Sequence, residues 1–375
     1  MSAEAELLDV EEADVQERFF DEGWTDGLPI VPPTPDRVLD MLLAGGVTDP
    51  DDVLGTVPQR GIAVTAEKAA INAVMAGCRP EYFPIVLAGL GAMLDPAFNA
   101  HAATTSTGGA AVCTIVSGPL AREVGMNATH NVLGPGNRAN ATIGRALRLV
   151  ASNVLGAKSG GLDGSSVGHP GKYTLCFAED PPMAPWEPFG VSLGYDPDDT
   201  VVTVVATEGP RQVANHLVED PERVLLTFAA AMKVPSNYVS GKGAQGVVVL
   251  GHEHQLAVVQ AGWSRRQVQE FLAEASRITP DELRAAGIDL PVGSTHDLVP
   301  DADGKLGTVT GPDDVLVVTA GGAGAGWSAY IPMWAPVDIA RSRAVSRRVR
   351  PPGEALPDCG PDGCEVDLGA LGEGS

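Results

Sequence analysis

The chain has 375 residues, of which 44% are hydrophobic, and a formal net charge of −23. That length allows a generous core in one large or two smaller domains, and that charge argues against nucleic acid and anionic membrane as partners. The acidic start lacks a signal-peptide pattern, no apolar run approaches ~18 residues, and five widely spaced cysteines are not a disulfide framework, so a cytoplasmic protein is expected.

In chain order, residues 5–22 read as a helix ending before Gly23. Glycines and prolines then break up the stretch Gly23 to Thr34. Thr34 caps a helix that begins at Pro35 and ends at Gly45-Gly46. Thr65 starts another helix, with Ala70, Ile71, Val74 and Met75 as its apolar stripe and Gly77 as its stop. Residues 81–94 form a further apolar helix. Residues 111–116 read as a buried strand, and Asn137 caps a long helix through Leu155. Residues 173–178 and 201–206 are strand candidates. Beyond Glu208, a helix lies over 221–232 and strands over 247–250 and 315–320. Capping boxes open at Ser264/Gln267 and Thr279/Glu282. No strong internal repeat is legible.

This alternation predicts an α/β fold, mixed sheets flanked by helices in two lobes of similar size. The expected organisation is 1–207, then 208–350, with a disordered tail over 351–375. The arginines at 341, 343, 347, 348 and 350 read as solvated surface.

The stretch from His101 to Glu187 is the most informative. Gly134 and Gly136 allow close backbone approach to a ligand, and a helix N-terminus follows at once. Asn137, Arg138 and Asn140 add polar side chains, with Arg138 suited to gripping a carboxylate or phosphate. Arg145, seven residues on, shares a face with Arg138 and would support it. Arg148 reads as a plain surface charge. Thr104 and Thr105 would add substrate contacts. His169, Lys172 and Tyr173 place a base, a cation and a phenol at the mouth of a strand, which suits acid–base work. His101 is expected in the same pocket. Among the thiols, Cys78 beside Gly77 is the best nucleophile candidate, whereas Cys113 and Cys176 read as buried hydrophobes.

His252-Glu253-His254, read as an extended pair, falls short of a metal site, and no metal is assigned. Cys359 and Cys364 do not make a zinc or redox motif. Gly321 to Gly326 lacks the dinucleotide spacing and reads as a substrate clamp or a subunit contact. No cofactor motif is legible, so the cofactor is unknown, and a homo-oligomer is expected.

Four segments, Gly23-Trp-Thr-Asp-Gly-Leu-Pro29, Ala70-Ile-Asn-Ala-Val-Met-Ala-Gly-Cys-Arg-Pro-Glu81, Gly134-Pro135 with Arg138 to Arg145, and Gly168-His-Pro-Gly-Lys-Tyr173, resemble motifs of an uncharacterised bacterial protein family. The resemblance spans nearly the whole chain. It implies that a small selenocysteine-Gly-Ser-Cys protein can accompany the chain. The family pattern has a histidine after the threonine pair, where this chain has Ser106.

Three readings follow. In the first, an enzyme acts on a small anionic substrate by acid–base chemistry, a lyase-like cleavage or hydration of a C–X bond. Arg138 would hold the anion and His169 would move the proton. In the second, a thiol-dependent redox or cleavage enzyme uses Cys78 or Cys113 with a small thiol or selenol partner protein. The third is a non-catalytic subunit of such a complex.

Overall fold

Every residue of Ala111–Ser117 is buried, as in a strand covered on both faces. The computed structural model describes residues 14–217, 219–234, 238–288, 299–351 and 354, and the backbone of 359–360 and 363–364. The strands that build its three larger sheets are β1 (Val53–Val57), β2 (Ile62–Thr65), β3 (Ala111–Ser117), β4 (Leu175–Ala178), β5 (Val201–Thr207), β6 (Arg211–Ala214), β7 (Gly246–Leu250), β8 (Val315–Thr319), β9 (Trp327–Pro332) and β10 (Val345–Arg348).

β1 and β2 form a small antiparallel pair. The other eight make two four-stranded mixed sheets, ordered β10-β5-β3-β4 and β6-β9-β7-β8. In each, a central strand has a parallel neighbour on one side and an antiparallel one on the other. The fold is therefore α/β.

Strand alternation sorts the side chains into layers. Val112, Val116 and Cys176 face a core built with Ile143 and Leu147 of the Arg138–Asn153 helix and Phe83 and Leu90 of the Phe83–Met93 helix. Val248, Leu250 and Val317 face Phe228 of the Pro221–Met232 helix and Leu272 of the Arg265–Ala275 helix. Between the sheets, Cys113, Ile115 and Phe177 meet Val247, Val249, Val318 and Ile331 in one cluster. The order of layers is helices, sheet, sheet, helices, with the sheets sharing a core rather than forming separate lobes.

The two sheets repeat one design. Each central strand ends at a glycine, Gly118 or Gly251, pressed against the start of the antiparallel neighbour. A methyl there would lie 2.3 Å from the Asp199 carbonyl oxygen or 2.0 Å from that of Trp327. Each parallel neighbour is preceded by a 3-10 turn opening with proline, Pro170–Lys172 before β4 and Pro312–Asp314 before β8. The Phe83–Met93 and Pro221–Met232 helices cover equivalent strands, β5 with β10 and β9 with β6. The halves exchange edge strands: β6 follows β5 but joins β9, and β10 follows β9 but joins β5. Relative to a boundary at 207/208, β3, β4 and β5 lie before it and β6, β7, β8 and β9 after it, and among these strands β10 alone crosses back to the first sheet. This repeat is invisible in the sequence because strand pairing repeats while the side chains do not.

Most helix starts match the capping signals, including both capping boxes. The first helix is Val15–Asp21, and residues 1–13 lie outside the described residues. His252-Glu253-His254 is not extended, because it opens the helix His252–Gln260. Residues two apart on a helix point in different directions. His254 uses both ring nitrogens on Ser328 Oγ (2.7 Å) and the Asn215 carbonyl (3.1 Å). Three C-terminal arginines are not simply solvated: Arg343 pairs with Asp314, Arg347 with Asp95, and Arg348 with Glu354. Of the tail, Cys359–Gly360 and Gly363–Cys364 pair as short antiparallel strands, and most of the remainder lies outside the described residues. No helix among the described residues is long and apolar enough to cross a membrane.

Candidate functional site

The 163–172 loop, which leads into β4, is held from within by Asp163. That carboxylate receives Lys172 Nζ at 2.7 and 2.9 Å, Arg148 at 2.7 Å and Ser165 Oγ at 2.5 Å. Burial opposes its ionisation, but the bonds from Lys172 and Ser165 prevail and hold the carboxyl well below the usual range. Lys172 also donates to Ser165 Oγ at 2.6 Å, so its ammonium is committed rather than free. Arg148, expected at the surface, is a mostly buried ion-pair partner. Two cations share one carboxylate here, leaving a surplus positive charge. Tyr173 is 47% exposed.

His169 stands before the Pro170–Lys172 turn, half-buried. Its Nε2 lies 3.4 Å from the Thr207 carbonyl oxygen, a long bond in which the nitrogen donates. With Nε2 as donor, the lone pair falls on Nδ1, a buried atom with no hydrogen bond of standard geometry among the described residues. Burial lowers the imidazole pKa, the Thr207 carbonyl opposes this, the Lys172 charge adds to the lowering, and the Gly109 backbone, on the wall formed by the 104–109 segment, opposes it again. The ring sits against bare backbone. A methyl on Gly171 would meet its Cε1 at 2.8 Å, and one on Gly209 would meet Nδ1 at 3.3 Å. Two further buried atoms near this corner, Thr207 Oγ1 and Trp334 Nε1, have no hydrogen-bond partner among the described residues. Here the chain crosses between the sheets in both directions, Glu208 N bonding the Pro332 carbonyl and Trp334 N that of Ala206.

The 104–109 segment closes one wall. Ser166 N donates to the Thr107 carbonyl at 3.0 Å, and a methyl on Gly109 would lie 2.8 Å from Gly168 Cα. His101 and Thr104 are tied beneath it by Arg60, which bonds His101 Nδ1 (3.2 Å), Thr104 Oγ1 (2.6 Å) and the Leu155 carbonyl (2.6 Å). Thr105 Oγ1 donates back to the His101 carbonyl at 2.8 Å. These side chains shape the wall, and their polar atoms face other protein groups. Sequence reasoning passed over Arg60, because nothing in Pro58-Gln-Arg-Gly61 signals a partner 41 residues away.

Arg138 lies elsewhere. It opens the Arg138–Asn153 helix and donates from Nε to the Gly77 carbonyl at 2.9 Å. The helix residue that reaches the His169 loop is Arg148, ten residues and about 15 Å farther along the axis. The structure thus does not bring Arg138 and His169 together. The neighbours of Arg138 have structural work. Asn137 caps the helix and also donates to the Gly125 carbonyl at 2.8 Å. The buried Asn140 clamps both backbone groups of Asn127, at 2.8 and 2.9 Å. Gly134 is pressed on Asn131, and Gly136, at φ 123°, makes a turn open only to glycine. Arg145 is not an anion ligand. It forms a two-pronged bond with Asp26 at 2.7 and 2.8 Å and holds the carbonyls of Leu28 and Pro29.

Cys78 is buried, against the expectation of an accessible thiol. Burial pushes its pKa up to about 12 although Thr142 and two arginines oppose the rise. Cys113 is likewise raised to about 12. The 321–326 loop packs on the 127–131 segment through Gly321 N to the Ala128 carbonyl and His130 Nε2 to that of Ala323 (2.7 Å). Among the described residues, no cluster of three metal-ligating side chains occurs. No protein-family model matches the chain, and no curated protein or solved structure matches it.

Proposed function

We propose that this protein is an enzyme that acts on a small anionic molecule by acid–base chemistry, with His169 as the proton carrier. The observation that carries the reading is an imidazole set beside the Arg148–Asp163–Lys172 group, whose pKa burial lowers and whose buried Nδ1 has no hydrogen bond of standard geometry among the described residues. Its Nε2 is turned toward the Thr207 carbonyl, which orients the ring. The surplus positive charge of the Arg148–Asp163–Lys172 group next to it favours a carboxylate or phosphate on the substrate. This takes over the anion-holding role that the sequence suggested for Arg138.

The chemistry that fits is an elimination or its reverse. Nδ1 takes a proton from a carbon beside the anionic group, the C–X bond breaks with its electron pair leaving on X, and the protonated imidazole returns the proton to X. Addition of water runs the same steps backward. The thiol-dependent reading has less support, because Cys78 and Cys113 are buried and far from thiolate at neutral pH.

The test incubates the purified full chain with a pool of small carboxylates and phosphate esters and follows consumption by mass spectrometry. Turnover lost in His169→Asn and kept in Cys78→Ser supports the reading. Turnover kept in His169→Asn but lost in Cys78→Ser replaces it with the thiol reading. No consumption by the wild-type chain, with none restored by a co-purifying protein, favours the non-catalytic reading.

A further inference from the structure

The repeat in the fold has a consequence for the second half. In the first half, the loop before the central strand β3 meets the loop before its parallel neighbour β4, through Thr107–Ser166 and Gly109–Gly168. In the second half, the loop before β7 meets the loop before β8 in the same way. Gly243 N donates to the Gly307 carbonyl at 3.0 Å and Ala244 N to that of Thr308 at 2.9 Å. The flanking helices correspond too. Arg148 of one reaches Asp163, and Arg277, just after the Arg265–Ala275 helix, reaches Asp301 and Asp303.

At the position that corresponds to the His169 corner, the second half has an open groove of about 560 Å³. Its polar lining is Lys242, Glu270, Glu274, Arg277 and Asp301, with backbone of 241–243, 306–307 and 309–312. A small metabolite fits that volume. The residue before the prolyl turn, His169 in the first half, is Gly311 in the second, and both have extended backbone. The groove therefore borders the prolyl turn that corresponds to the one after His169 and lacks the imidazole.

The charges in the groove are unequal in availability. Arg277 is taken by Glu274, Asp301 and Asp303, and Glu270 is paired with Arg266. Lys242 is half-buried, its ammonium lies 4.1 Å from the centre of the Tyr238 ring, and no carboxylate among the described residues pairs with it. Burial also lowers its pKa, the sign of an ammonium short of solvation. The glycines at 241 and 243 flank it, both at positive φ, Gly241 buried and Gly243 partly exposed.

We infer that the groove at Lys242 is a second, non-catalytic binding site for a small anionic ligand, the structural counterpart of the His169 site. The ligand class rests on the reading of the His169 site, and the site itself rests on the repeat and the groove. Nuclear magnetic resonance titration of the full chain, with malonate and inorganic phosphate used separately, reads both sites at once through backbone amides. The expected result is saturable shifts at Gly241, Gly243 and Gly311 as well as at Gly109 and Gly168. Lys242→Met should weaken the first set at least tenfold and leave the second unchanged. Shifts at Gly109 and Gly168 alone overturn this inference and leave the proposed function standing. Shifts at Gly241, Gly243 and Gly311 alone, abolished by Lys242→Met, uphold the groove and remove the support for the first site. Shifts unaffected by Lys242→Met, or none with either anion, overturn the inference.

Discussion

Lys172 Nζ reaches both oxygens of Asp163, at 2.7 and 2.9 Å, inside the loop that carries His169. The pair fixes the loop from which the base is presented. Removing the carboxylate leaves Lys172 and Arg148 without their shared counter-charge, so Asp163→Asn should cost about 3 kcal/mol. The folded Asp163 titrates below an unfolded aspartate. Its contribution is complete above the unfolded pKa of about 4 and fades as pH falls toward the folded value. Urea unfolding between pH 7 and pH 3 should show a steeper acid loss in the wild type than in Asp163→Asn. Parallel profiles would refute the assignment.

His169 titrates in the opposite sense of charge. Its folded pKa is lowered, so below the unfolded value of about 6.5 the unfolded chain binds the proton more readily. Stability should therefore fall as pH drops from about 6.5 through the folded pKa. His169→Asn should keep the fold and lose that part of the dependence. Thermal unfolding of both proteins from pH 8 to pH 5 checks this, and an unchanged difference across the range counts against a buried neutral ring.

The three described cysteines, Cys78, Cys113 and Cys176, should resist alkylation in the native protein and react once denatured, since burial raises each thiol. Residue-resolved mass spectrometry after iodoacetamide treatment reads this directly. Rapid native labelling of Cys78 would restore the thiol-dependent mechanism as the leading one.

Arg145 and Asp26 join the Gly23–Pro33 segment to the Arg138–Asn153 helix through a mostly buried pair. Arg145→Ala should cost about 3 kcal/mol and expose residues 14–33 to protease, whereas Arg145→Lys should recover little of the two-pronged geometry. Equal protease resistance in wild type and Arg145→Ala would show that the segment is held by other contacts.

Gly118→Ala and Gly251→Ala each force a methyl to within 2.3 Å or less of a backbone carbonyl oxygen. Each should cost about 3 kcal/mol or prevent folding. Gly91, whose methyl would have its nearest neighbour at 4.0 Å, serves as the tolerant control. Stable, soluble Gly251→Ala protein would contradict the tight approach that both halves share.

Local features were legible and distant ones were not. The Asn137 cap, the Thr279/Glu282 capping box and the buried run of β3 follow from neighbouring residues and could be read directly. The candidate site was legible in part. His169 and Lys172 do share one loop, as their spacing suggested, but Arg138 was joined to them only by the general habit of glycine-rich turns to cluster. The helix axis separates them. Cys78 misled because a Gly-Cys-Arg-Pro turn looks exposed, while packing beneath the Arg138–Asn153 helix buries it.

The sequence by itself determined the α/β alternation, most helix starts and the loops that hold polar chemistry, because caps, turns and apolar periods act over a few residues. Tertiary structure alone decided that two sheets repeat one topology, exchange edge strands and face each other across a shared core. It alone matched Arg145 with Asp26, 119 residues apart, and His169 with Thr207, 38 residues apart. Such pairings depend on which loops the strand order brings to one corner, and an ion pair or a carbonyl contact has no periodic signature along the chain.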